Sequence, residues 1–94
     1  MKPRSRRERV LHARSCAAAI KAYQRGQMGG LYLRDILAQS ISPNGESGQS
    51  VYSMEARKTI KRAVDVLAGT VPSTAAGEAD VLSEARATYM GVRK

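Results

Sequence analysis

Arginine and lysine are the residues whose numbers and positions point most directly to a chemistry, which is the binding of polyanions. The 94 residues carry 16 basic and 8 acidic side chains, a net charge of +8. Residues 1–29 hold eight basic residues against one acid, whereas residues 30–94 hold eight against seven. A basic segment joined to a nearly neutral body is typical of proteins that bind nucleic acid. An anionic membrane surface is the competing partner.

Residues that could carry out catalysis or hold a metal are few. The single histidine, His12, has Glu8 four residues before it and the single cysteine, Cys16, four residues after it. Three candidates on one helix face fall far short of a convincing zinc site, and we read His12 as an exposed helical histidine. Cys16 cannot form an intrachain disulfide and sits among alanines as a small apolar residue. We therefore predict no catalytic residue, no cofactor, no metal and no small-molecule substrate, and expect that the protein is not an enzyme.

Two further features could bind phosphate. The loop at residues 42–50 combines serines and glycines with a following helix N-terminus, where backbone N–H groups can bind an anion. A second cluster of cations lies at residues 57–62 and is interpreted either as a phosphate contact or as a solvated helix face. Its members are Arg57, Lys58, Lys61 and Arg62.

The element that carries the N-terminal cations is predicted to be an amphipathic helix from about residue 6 to residue 23. Val10, Ala13, Ala17 and Ile20 recur at helical spacing and form one apolar stripe. The other side carries the cations Arg6, Arg9, Arg14, Lys21 and Arg25. Three interpretations stay open. The basic side of this helix binds a ligand, or it is solvated and binds none, or the segment becomes helical only when a ligand binds.

Three further helices are predicted at about residues 30–41, 51–68 and 80–90 from the spacing of their apolar residues. Glycines at 26, 29 and 30 form a flexible joint before the first of them. The turn residues Pro43-Asn44-Gly45 separate the first from the second. Ser50 or Ser53 is the predicted N-cap of the helix at residues 51–68, and Gly69 and Pro72 are predicted to end it. A loop is predicted at residues 73–77.

The apolar residues are small, since the chain has no Trp and no Phe. At roughly 25 cal/mol per Å² such a core barely offsets chain entropy. We therefore expect an under-filled apolar seam that a second polypeptide completes, so that the isolated chain is largely unfolded and gains helix on mixing. No apolar run approaches the roughly 20 residues of a membrane span, and no secretory signal is expected.

A helix with a tyrosine, a Pro-Asn-Gly loop and a longer helix ending in Ala-Gly follow one another within residues 25–90. The residues concerned are Arg25, Leu31-Tyr32-Leu33, Ile36-Leu37, Gln39, Pro43-Asn44-Gly45-Glu46-Ser47, Leu67-Ala68-Gly69, Ser73-Thr74, Asp80-Val81 and Ala85-Arg86. This order resembles the core histones of the type-2B kind. Here Gly69 and Pro72 shorten the central helix, and residues 72–76 replace the family's basic second loop.

The resemblance implies an all-α histone fold of a short, a long and a short helix, with an extra basic N-terminal helix or arm. The implied organisation is an arm at residues 1–29, a histone-fold domain at 30–90 and a short basic tail at 91–94. It also implies a partner, a second histone-fold chain of the type-2A kind, with further histones in a nucleosome-like particle. Such an assembly compacts double-stranded DNA without reading its sequence, in the nucleus, in chromatin or in the core of a large DNA virus.

The residues implied in DNA binding are Arg4, Arg6, Arg7, Arg9, Arg25, Arg34, Ser42, Asn44, Ser47, Ser50, Ser73 and Thr74. Those implied in the dimer interface are Tyr32, Leu33, Ile36, Leu37, Ile60, Val64, Leu67, Val81, Leu82 and Ala85. Two alternatives stay open. One is a small helical virion or adaptor protein whose basic arm touches nucleic acid incidentally, and the other is a membrane-surface protein that binds lipid through residues 5–25.

Overall fold

A computed structural model of the chain describes residues 6–41 and 52–91, except for the side chain of Arg6. These ranges hold the helices α1 (Arg6–Gln24), α2 (Gly30–Ala38), α3 (Met54–Ala68) and α4 (Ala75–Met90), and no strand. The all-α prediction is therefore confirmed. The last helix has 16 residues and the third has 15, so the short last helix expected for a histone fold is not observed. Within the described ranges, every helix is too short or too polar to span a bilayer.

The four helices are arranged at the corners of a square, and each packs against its two neighbours. The backbones of α1 and α3 each lie next to those of α2 and α4, whereas α1 and α3 lie diagonally across the core, as do α2 and α4. Gly30 at the start of α2 lies beside Tyr23 at the end of α1 and Leu67 at the end of α3. Successive helices are therefore antiparallel, as in an up-and-down four-helix bundle, and α1 and α3 occupy opposite corners.

Local capping explains where the last two helices begin and end. The hydroxyl of Ser53 accepts a hydrogen bond from the Ala56 N–H at 3.2 Å, so Ser53 is the N-cap of α3. Gly69 ends α3 with φ at 78°, in the left-handed region that glycine adopts without steric conflict. Both signals were predicted from the sequence, with Ser53 as one of two candidates for the cap.

The predicted start of the last helix is wrong by about one turn. Thr74 accepts a hydrogen bond from the Gly77 N–H at 3.0 Å, so α4 begins at Ala75 and not near residue 80. Only the first part of the predicted loop at residues 73–77 lies outside a helix. A threonine N-cap followed by two alanines outweighs the glycine at position 77, which lies within the first turn.

The core contains residues from all four helices, and α1 contributes a full face. Ala13, Cys16, Ala17 and Ile20 are buried against residues of the other helices. Their partners in the core are Leu33, Leu37, Tyr52, Ile60, Ala63, Leu82, Ala85 and Tyr89. The apolar seam that we assigned to a second polypeptide is thus filled by the chain's own α1. Residues 6–24 are a packed part of the bundle, not an arm outside it, because alanines let α1 approach its neighbours closely.

Candidate nucleic-acid interface

The outward face of α1 carries cations at regular intervals. Arg7, Arg14 and Lys21 are exposed and follow one another every seventh residue, and Arg25 is exposed in the turn that follows the helix. Seven residues are about two helical turns, so neighbouring cations along this side are roughly 10 Å apart along the axis. We call these four residues the α1 cationic row.

The four cations are available to an external anion. The ion pairs among the described residues join Arg34 to Asp35 at 2.8 Å, Lys61 to Asp65 at 2.9 Å and Arg62 to Glu84 at 3.7 Å. No member of the α1 cationic row takes part in an ion pair with a described carboxylate. An anion that binds there displaces water and no protein carboxylate, so the Coulomb attraction is not offset by a broken ion pair.

Two sets of contacts fix α1 in the bundle. Its apolar face is buried in the core, where Ile20 is fully inaccessible. Near its end, the hydroxyl of Tyr23 donates a hydrogen bond to the Glu78 carboxylate on α4. This hydrogen bond, followed by burial and the negative charge of Glu78, raises the pKa of Tyr23. Arg7, Arg14 and Lys21 are therefore carried by a helix that is packed before any ligand binds, so that binding does not require the helix backbone to be ordered.

A second set of cations lies on α3, at the opposite corner of the bundle. Lys58, Lys61 and Arg62 are exposed and Arg57 is half-buried. Lys61 and Arg62 are engaged with Asp65 and Glu84, whereas Arg57 and Lys58 have no described ion pair. We call these four residues the α3 cationic face. We expect the α3 cationic face to attract an external anion less strongly than the α1 cationic row does, because Lys61 and Arg62 already have carboxylate partners.

The remaining predicted DNA-binding residues are dispersed. Arg9 is half-buried on α1, and Arg34 on α2 is paired with Asp35. Ser73 is exposed, and the hydroxyl of Thr74 is used to cap α4. The structure thus places Arg7 and Arg25 in one row and does not bring Arg34, Ser73 or Thr74 to it. The predicted residues outside the described ranges are Arg4, Ser42, Asn44, Ser47 and Ser50, together with the side chain of Arg6.

Most of the residues predicted for a dimer interface lie inside the bundle. Those fully buried in the chain's own core are Leu33, Leu37, Ile60, Leu82 and Ala85. Those half-buried against it are Ile36, Val64, Leu67 and Val81. Tyr32 alone among the ten is exposed, at 64%. In this arrangement the apolar stripes of α2, α3 and α4 face one another and α1, so they are not presented to a partner.

Sequence reasoning missed a polar cluster at the end of the bundle where α2 and α4 finish. His12 Nδ1 lies 2.7 Å from the Tyr52 hydroxyl, and His12 Nε2 lies 3.9 Å from Cys16 Sγ. The Tyr52 ring meets the Tyr89 ring edge to face at 5.4 Å, and the Tyr89 hydroxyl is 2.8 Å from the Ser40 hydroxyl. The His12–Cys16 contact follows from helical spacing, whereas Tyr52 and Tyr89 are 40 and 77 residues from His12 in the sequence.

This cluster joins all parts of the bundle at one end. Burial is the main cause that raises the pKa of Tyr89, which keeps its hydroxyl protonated as a partner for Ser40. Although a cysteine beside a histidine is a possible nucleophile, Cys16 is only 1% exposed, so a substrate does not reach its sulfur in this conformation. The polar side chains of the cluster are paired with one another, and these contacts join the helices at this end of the bundle.

The fold and the exposed cations define a class, a small all-α bundle with exposed cations on two of its helices, α1 and α3. Within the described residues, no three His, Cys, Asp or Glu side chains are grouped to hold a metal ion. No family model, curated protein or solved structure matches this chain.

Proposed function

We propose that this protein binds double-stranded DNA without sequence preference, as a small histone-like packaging subunit. The observation that carries the proposal is the α1 cationic row, four exposed cations without a described carboxylate partner. Three of them lie on a helix that is packed into the core, and the fourth lies in the turn that follows it. The net charge of +8 supports attraction to a polyanion over long range.

The position of the row favours contact with the phosphate backbone over contact with bases. α1 is flanked by α2 on one side and α4 on the other. Only its outer side is therefore free, and that side carries arginine and lysine, which neutralise phosphates whatever the base sequence. Each phosphate neutralised releases condensed counterions, so the affinity must fall steeply with salt.

The experiment is a salt titration of duplex binding by the full chain, with two variants of equal net charge. R14Q/K21Q removes two cations of the α1 cationic row. R86Q/R93Q removes two arginines near the C-terminal end, neither of which we assign to DNA. We expect R14Q/K21Q to weaken duplex binding by about one order of magnitude and to flatten the slope of log affinity against log salt by roughly 1.8.

The control R86Q/R93Q should lose much less affinity, because the row stays intact. Equal losses in the two variants would show that net charge and not the row determines binding. Absence of duplex binding by the unaltered chain at low salt would end the proposal.

Pairing with a type-2A-like histone chain stays a prediction. In the closed bundle the residues implied for a handshake, such as Leu37 and Ile60, are inaccessible. Such pairing therefore requires α1 to leave the core and expose them. A mixture of the two chains, followed by size-exclusion chromatography and hydrogen exchange of α1, distinguishes a dimer with released α1 from two chains that do not interact. The nucleosome-like particle and the location in chromatin or a virion core depend on the same result.

A helical assembly or adaptor protein is the second candidate. It is favoured by Leu31 and Tyr32, adjacent on α2 and exposed by 61% and 64%. A pair of large apolar residues at the surface is typical of a protein contact. Sedimentation of the chain without DNA, compared with L31S/Y32S, tests this. Self-association that disappears in the variant, together with no affinity for duplex, would favour the adaptor over the packaging subunit.

A further inference from the structure

The two basic surfaces of the bundle point away from each other. The α1 cationic row and the α3 cationic face lie on opposite corners, because α1 and α3 are diagonal to each other across the core and α2 and α4 lie between them. We propose that one molecule holds two DNA duplexes at once, one along each surface, and so compacts DNA by bridging. This inference rests on the proposed function and adds a second site for the same ligand.

The charges between the two surfaces argue for two separate sites. On α4 the acids Glu78, Asp80 and Glu84 outnumber the single cation Arg86. On α2 the charges of Arg34 and Asp35 cancel in an ion pair. Among the described residues, the positive surface is therefore interrupted on both flanks. A duplex that bent from α1 round to α3 would pass over neutral or negative surface, whereas two duplexes on opposite sides would not.

The thickness of the bundle permits two duplexes. Its two shorter dimensions are 22 and 21 Å. The Debye length at physiological salt is about 8 Å, so charges separated by the full bundle are largely screened from one another. Repulsion between the two phosphate backbones is consequently weak, and each surface attracts its own duplex.

The α3 cationic face can exchange its internal ion pairs for phosphate. Lys61 is paired with Asp65 while its side chain is 65% exposed, and Arg62 is paired with Glu84 while 63% exposed. Exposed ion pairs of this kind contribute little to stability, so phosphate competes with them readily. Arg57 and Lys58 have no described carboxylate to release. We expect the α3 cationic face to bind more weakly than the row on α1 and to fill second.

A bead assay measures bridging directly. One duplex is immobilised, the full-length protein is added, unbound protein is washed away, and capture of a second, fluorescent duplex is recorded. The variant K58Q/K61Q changes only the α3 cationic face, and R86Q/R93Q is the control of equal net charge. We expect K58Q/K61Q to bind the first duplex within about twofold of the unaltered chain but to capture the second roughly tenfold less. The control should capture nearly as much as the unaltered chain.

The outcomes separate the two proposals. If R14Q/K21Q no longer binds the immobilised duplex, and K58Q/K61Q binds it but fails to capture the fluorescent duplex, both proposals hold. If K58Q/K61Q captures the second duplex as well as the unaltered chain does, the α3 site is wrong and the function stands. Capture that occurs only where sedimentation shows a protein dimer would also overturn bridging by one molecule. Circular dichroism of K58Q/K61Q and of the single variant K58Q measures whether the helices are intact. A loss of capture in variants with unchanged helix content does not come from unfolding.

Discussion

The hydroxyl of Tyr23, the next-to-last residue of α1, donates a hydrogen bond to the carboxylate of Glu78 in the first turn of α4. The two residues are 55 positions apart in the sequence. In the N-terminal half of α1, His12 Nδ1 lies 2.7 Å from the hydroxyl of Tyr52, just before α3. These polar contacts attach the N-terminal half and the C-terminal end of α1 to the rest of the bundle. α1 is therefore an integral part of the bundle, although five of its side chains are arginine or lysine.

The Tyr23–Glu78 hydrogen bond should contribute measurably to stability. We expect Y23F to lower the free energy of unfolding by about 1 kcal/mol, because a single hydrogen bond is lost and the ring remains. The matched control is Y32F, since Tyr32 is 64% exposed and has no described hydrogen bond. Urea denaturation followed by circular dichroism measures both. Equal stabilities of Y23F and Y32F would mean that the contact does not secure α1.

Stability should decline in alkaline solution. The pKa values of Tyr23 and Tyr89 are raised above 10.0 in the folded chain, by the Glu78 hydrogen bond and by burial, respectively. The folded state thus holds these protons more tightly than the unfolded state does. The resulting stabilisation is complete below pH 10 and is lost as the pH rises through the folded pKa values.

Urea denaturation at pH 8, 10 and 11 tests this pH dependence. The free energy of unfolding should fall between pH 10 and 11 in the unaltered chain, and it should fall less in Y89F, which has no phenol at that position. A decline of the same size in Y89F would exclude Tyr89 as a source of the effect.

Ile20 tests whether α1 belongs to the core. Its side chain is fully buried, whereas Leu11 on the same helix is 51% exposed. We expect I20A to lower the free energy of unfolding by about 2–5 kcal/mol, through lost burial and a cavity. L11A should change it by less than about 0.5 kcal/mol. Indistinguishable variants would indicate an arm that lies outside the core.

The isolated chain should fold without a partner. The helical signal of the full chain should disappear in one cooperative thermal transition, because α1 already fills the apolar seam of α2, α3 and α4. Deletion of residues 1–25 uncovers Leu33 and Leu37, so the remainder should lose cooperativity or self-associate. A full chain that becomes helical only on addition of a second histone-fold chain would restore the interpretation that we drew from the sequence.

Substitution of Thr74 distinguishes a structural role of this residue from a role in DNA binding. The resemblance to histones implies that Ser73 and Thr74 touch DNA, whereas the structure uses the Thr74 hydroxyl to cap α4. We expect T74A to lower the free energy of unfolding by about 1 kcal/mol and to leave duplex affinity nearly unchanged. S73A serves as the neighbouring control. A large loss of affinity in folded T74A would support the contact that the resemblance implies.

The sequence alone determined the local features of this protein. Helical spacing predicted the apolar stripe of α1 and the cations opposite it. Gly69 marked the end of α3, and Ser53 was one of two candidates for its start. These signals are local because a hydrogen bond in a helix or a cap joins residues only a few positions apart. The surplus of arginine and lysine in residues 1–29 was likewise readable, since charge depends on composition.

Only the tertiary structure decided what the α1 stripe packs against. The spacing of the stripe is compatible with packing against a partner chain and against the chain's own helices, and the fold places the stripe in the chain's own core. The Tyr52 and Tyr89 rings reach His12 and Ser40 across 40 and 49 residues. No local spacing encodes such pairs, because they depend on which helices become neighbours. The placement of the two cationic surfaces on opposite corners has the same origin, since packing around a shared core determines which side of each helix faces solvent.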